Sequence, residues 1–124
     1  MTLLLVALGG GLGAAGRYVV DSVLPSGDAD RVPRGTTAVN LSGSLLAGVL
    51  VGALAAGALD PRAYAVVLAG FCGGYTTFST ASLEAVRLLQ RGRHWRAAGY
   101  ALGSLLGTVA AAALGAWAAV VVVG

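Results

Sequence analysis

Gly70–Phe71–Cys72–Gly73–Gly74–Tyr75–Thr76–Thr77–Phe78–Ser79–Thr80 is the stretch on which the reading of this chain turns. It lies inside an apolar run of about residues 63–86, in which Glu84, near the end, is the only charge. Adjacent glycines invite a helix break. A break at membrane depth frees backbone carbonyls and amides, and it survives only if it is buried or lines a cavity. Freed carbonyls are hard oxygen ligands suited to a small cation such as Na⁺. No carboxylate lies nearby, so such a cation would be held by peptide dipoles. The competing reading is a straight helix whose Ser and Thr side chains bond back to their own carbonyls.

Three further apolar runs surround this one, at about residues 3–23, 37–59 and 97–123. Arg17 and Asp21 interrupt the first, and the other two carry no charge. A spanning helix needs about 20 mostly apolar residues, so each run qualifies. Charged residues make up only 10% of the chain and hydrophobic ones 57%, against roughly 25% charged in a soluble domain. Such a chain cannot cover its own surface in water. The expectation is an all-α membrane protein, one domain over residues 1–124, with four transmembrane helices and a break in the third. The first run is read as a retained span, because no basic residue precedes it and no polar domain follows.

All eight basic residues are arginines, and the net charge is +3. They sit between apolar runs without interleaved aromatics, which argues against nucleic acid as a partner. Arg31 and Arg34 fall in the first connection, which begins at Pro25, and Arg87, Arg91, Arg93 and Arg96 in the third. The opposite face holds only Arg62, beside Pro61, a residue suited to opening a helix. Six against one places both arginine-rich loops in the cytoplasm and both termini outside. Cys72 has no partner for an internal disulfide.

Small residues four apart let spanning helices approach closely. Gly9 with Gly13, Gly48 with Gly52, and Gly99, Gly103 and Gly107 have that spacing. Gly11, Gly13 and Gly16 form a G-x-G-x-x-G, but without the soluble α/β context a dinucleotide fingerprint requires. Arg17 is costly inside an apolar run and must either snorkel or face protein or water. Asn40 can donate two hydrogen bonds to an anion or hold two helices together. Tyr100, Ser104 and Thr108, spaced i, i+4, i+8, put a hydroxyl track on one helix face. Hydroxyls can donate to an anion without adding charge.

The assembled pattern resembles the Fluc/CrcB family of fluoride channels. The matching pieces are Gly10–Gly11–Leu12–Gly13–Ala14 with Arg17–Tyr18, then Thr37–Ala38–Val39–Asn40–Leu41–Ser42–Gly43, then the glycine–threonine stretch quoted first. The resemblance implies an antiparallel dimer of four-helix subunits in the bacterial inner membrane, passing fluoride passively out of the cytoplasm. It implies a structural Na⁺, not transported, held by the carbonyls of Gly73 and Thr76. It places Asn40, Phe78, Ser79, Thr80, Tyr100, Ser104 and Thr108 along the fluoride path, with Arg17, Gly74 and Thr77 structural. Fluoride is small and strongly hydrated, so amide and hydroxyl donors, with the electropositive edges of aromatic rings, must replace its water.

One departure stands out. Where the family carries a second Phe three residues after the first, this chain has Ala81. Some members insert in both orientations and are nearly unbiased in charge, whereas this chain is biased. Both departures are explained together if the chain is locked in one orientation and pairs with an oppositely oriented paralogue. The rivals are a non-conducting assembly subunit and a small drug–proton exporter; the latter needs a membrane-embedded carboxylate, and Asp21 and Glu84 both lie near span ends. An enzyme is disfavoured: His94, the only histidine, falls in the basic loop, and no span holds an acid–base pair.

Overall fold

A computed structural model describes residues 1–24 and 31–124; the start of the first connection, Pro25 to Asp30, lies outside the described residues. The described residues are helical, without strand. Helix α1 is Thr2–Val23 and α2 is Arg34–Ala55. Helix α3 covers residues 61–75, α4 is Phe78–Gln90 and α5 is His94–Val123. Three of these, α1, α2 and α5, are long and apolar enough to cross a membrane. The third apolar run is present as two shorter helices, α3 and α4.

Local chemistry explains the ends. Pro61 occupies the first turn of α3, and the Asp60 carboxylate caps it by accepting from the amides of Arg62 at 2.9 Å and Ala63 at 3.0 Å. Helix α2 stops at Gly57, whose φ of +72° suits a residue without a Cβ. There Gly57 N–H bonds the Leu54 carbonyl and Ala58 N–H the Ala53 carbonyl. Gly92, with the same φ, ends α4 in the same way onto Leu89 and Leu88. The basic stretch 87–96 is therefore mostly helix, not the loop its charge suggested. Arginine is a good helix former, and only residues 91–93 turn.

The directions of the helices follow from their contacts. Gly9 faces Val66 and Gly70, and Gly13 faces Phe71 and Tyr75, so α1 and α3 run parallel. Gly48 faces Ala112 and Gly52 faces Ala116, so α2 and α5 run parallel. Thr36 meets Glu84 and Asn40 meets Thr77, so α2 and α4 run antiparallel. Gly35 packs against Asp21 and Leu24, setting α1 against the direction of α2. Helices α3 and α4 thus proceed one after the other in the same direction.

Glycine lets these backbones touch. A Cβ on Gly74 would collide with the Gly10 carbonyl, and one on Gly48 with the Ala112 carbonyl. Gly9, Gly13, Gly48 and Gly52 do what their spacing suggested. Within the single subunit Gly99 and Gly103 face open space, and Gly107 meets only Leu41. The buried centre is small, with Val39 fully enclosed and Leu88, Ala97 and Tyr100 clustered against Ala81 and Ala85. Most large apolar side chains point outward, as expected where lipid rather than water is the solvent.

Gly74→Ala is expected to destabilise the folded protein by about 1–3 kcal/mol through overpacking. Gly11→Ala, which meets nothing within 4 Å, is expected to be neutral or to stabilise by up to about 1 kcal/mol. Thermal unfolding in detergent measures both.

Candidate functional site at the helix break

The helix breaks at Thr76 and Thr77, not at the glycine pair. Gly73 keeps helical angles (φ −62°, ψ −37°), whereas Thr76 (φ −82°, ψ 161°) and Thr77 (φ −149°, ψ 113°) are extended. Thr77 can do this because its hydroxyl caps the helix that follows, while the Cys72 carbonyl accepts from both the amide and the hydroxyl of Thr76. Thr76 Oγ1 donates back to the Cys72 carbonyl at 2.8 Å. Thr77 is the N-cap of α4: its Oγ1 accepts from Thr80 N–H at 3.2 Å and donates to Thr80 Oγ1 at 2.9 Å. Ser79 Oγ lies 3.3 Å from the same oxygen. Upstream, residues Val66–Cys72 widen into a π-helix, a form that is rare and frequent at functional sites.

Asn40 holds the break. Its Oδ1 accepts from Thr77 N–H at 2.8 Å, and its Nδ2 donates to the Thr77 carbonyl at 3.0 Å. One side-chain amide thus satisfies both peptide groups of an extended residue. The Thr77 N–H would otherwise have closed the helix onto the Gly73 carbonyl. Asn40 Nδ2 keeps a second N–H beyond this pairing.

On the other side stands Arg17, whose Nη1 donates to the Thr76 carbonyl at 3.5 Å. Tyr75 stacks on Phe71 with ring centroids 5.5 Å apart and meets Ser42 Oγ at 3.1 Å. Gly73, Phe78 and Ser79 are exposed, so the break reaches the surface of the subunit. It juxtaposes the C-terminal end of α3, which favours cations, with the N-terminal end of α4, which favours anions.

A cleft of about 530 Å³ opens beside the break. Asn40, Ser44, Thr76, Thr77, Phe78, Ala81, Tyr100, Ser104 and Thr108 are among its walls. The structure therefore brings Asn40, Phe78 and the whole hydroxyl track to one space. Ser79 and Thr80 serve the Thr77 cap and are not among the cleft's walls. The Phe78 ring is 87% exposed.

Sequence reading missed a second polar knot. Glu84 Oε1 accepts from Thr36 Oγ1 at 3.0 Å, and Oε2 from Tyr100 OH at 2.9 Å, tying α2, α4 and α5 together. The available signal was that Glu84 is the single acid of its run. Among the described residues no group of three or more His, Cys, Asp or Glu is placed to hold a metal. A cation at the break would rest on neutral oxygens.

Residues 4–116 match the family described as "CrcB-like protein, Camphor Resistance (CrcB)". A protein of Leifsonia xyli subsp. xyli named fluoride-specific ion channel FluC 1 is 48% identical over 94% of this chain and 85% of its own length. The fluoride-specific ion channel FluC of Anaeromyxobacter dehalogenans is 42% identical over 89% and 88%. That of Gloeobacter violaceus is 44% identical over 86% of each.

Asn40→Ala is expected to leave the Thr77 amide and carbonyl unpaired, at about 1–3 kcal/mol for each group left buried. Thermal unfolding in detergent is expected to show the loss, and a cysteine placed at Phe78 to change in accessibility to thiol reagents.

Proposed function

This chain belongs to the CrcB-like family, and from that premise we propose that it is a subunit of a fluoride-specific ion channel that lets fluoride leave the cytoplasm passively. The observation that carries this reading is the interrupted helix beside a cleft of neutral donors. A pore for a bare halide must replace water without trapping the ion. The spare N–H of Asn40, the hydroxyls of Ser104 and Thr108 and the edge of the Phe78 ring offer partial positive charge and no full cation.

A structural sodium fits the donor set. The Gly73 carbonyl has lost its helical N–H partner to Asn40, and the Thr76 carbonyl meets only the outer reach of Arg17. Both are hard oxygens at the C-terminal end of α3, where a cation is favoured. When bound, the ion would supply a fixed positive charge that favours anions nearby. Gly73 and Thr76 would hold it, with Gly74 and Thr77 shaping the backbone around them.

Helices α3 and α4 together make the third of four crossings, consistent with their common direction. The arginine bias favours cytoplasmic placement for the connections bearing Arg31, Arg34, Arg87, Arg91, Arg93 and Arg96, in the bacterial inner membrane, with both termini outside. An exposed Phe78 and an exposed break call for cover by a second subunit, in an antiparallel dimer. The fixed orientation and Ala81 favour an oppositely oriented paralogue as that subunit.

Fluoride efflux from liposomes tests this. The chain reconstituted with an oppositely biased partner is expected to release fluoride and retain chloride, and the chain alone to release little. Robust efflux from the chain alone would remove the heterodimer and leave the channel. No efflux from either preparation would remove the channel.

A further inference from the structure

Arg17 is a cation already seated at the break. Its placement follows from register. Gly9, Gly13 and Arg17 recur every four residues on one face of α1. Gly9 lies on the backbone of Gly70 and Phe71, and Gly13 between the Phe71 carbonyl and the Tyr75 amide. The next turn brings the guanidinium to the Thr76 carbonyl, 3.5 Å from Nη1. The two glycines bring α1 close enough for an intramembrane arginine to reach a peptide group that the extended backbone has released.

We propose that Arg17 shares the Thr76 carbonyl with sodium and thereby sets the affinity of the break for that ion. This rests on the reading above that sodium binds there. A carbonyl oxygen has two lone pairs, so it can accept from Arg17 while ligating a metal ion. Two positive charges on one oxygen nevertheless repel, and partial burial screens them less than open water would. Arg17 also complements the C-terminal dipole of α3 in sodium's absence. The consequence is a site weaker than its carbonyls alone would make it, and a subunit whose break is held before the metal arrives.

The test uses the assembled protein in detergent, unfolded thermally across a sodium titration at constant ionic strength. Wild type is expected to gain stability with sodium by mass action. Arg17→Gln is expected to reach half of its gain at a sodium concentration lower by about tenfold, the order of one partly screened charge interaction. Arg17→Lys, which keeps the charge, is expected to stay near wild type. Should the glutamine variant not fold, Arg17→Met, which removes the charge and keeps an unbranched stem, carries the same comparison. A neutral variant whose midpoint equals that of wild type would overturn the proposal and leave the sodium site standing. A wild type indifferent to sodium would overturn the sodium site and the proposal together.

Discussion

The paired hydrogen bonds between Asn40 and the Thr77 backbone are the constraint on which this structure depends. An interrupted helix in apolar surroundings leaves peptide groups that no solvent will satisfy. Asn40 meets both groups of Thr77 at once, but only if α2 stands at one distance and one register from the break. The glycine–alanine seam between α2 and α5 sets that distance: Gly48 and Gly52 lie on the backbone of Ala112 and Ala116, and Gly115 on that of Leu45. The antiparallel contact of α2 with α4 sets the register, with Thr36 on Glu84 and Asn40 on Thr77. Ordinary packing glycines far from the break thus decide whether its amide clamp can form.

The same geometry governs the electrostatics. One end of a helix dipole offers carbonyls and the other offers amides, within two residues of each other. Arg17 answers the first and the Thr77 hydroxyl the second. The hydroxyl track is less free than its spacing implies. Tyr100 gives its proton to Glu84, and Thr108 gives its proton to the Ser104 and Leu105 carbonyls. Each hydroxyl has one proton and rotates. An anion entering the cleft would have to win these donors from their protein partners.

How much of this could be read from the residues depends on the range of the interaction. The apolar runs and the helix opening at Pro61 were legible, because span length and the fixed φ of proline are local; the ends made by Asp60, Gly57 and Gly92 went unread. The break was legible as an event but misplaced. Gly73–Gly74 drew the eye, yet those residues stay helical and serve the close approach to Gly10. The threonines that follow turn the chain, and the Thr77 hydroxyl caps the helix that resumes. The Glu84 knot went unread because its partners are 48 and 16 residues away. A lone acid in an apolar run signals that partners are needed without naming them. Gly99 and Gly103 share the spacing of the packing glycines but meet nothing within the subunit, since spacing identifies a face and not what lies against it.

Gly73, Phe78 and Ser79 are exposed around the point where the backbone leaves the helix, at Thr76 and Thr77. Lipid is a poor neighbour there, because hydrocarbon cannot pair with a freed carbonyl. Water alone is a poor neighbour for Phe78, whose ring projects from the first turn of α4 almost wholly uncovered. A protein surface that brings both polar contacts and an apolar pocket satisfies the two demands together. Ala81, one turn further along α4, lines the cleft and leaves space where an aromatic ring would fill it. The vacancy and the projecting ring are therefore complementary features of one surface. A second subunit in the place proposed above would meet a projecting ring and a vacancy side by side.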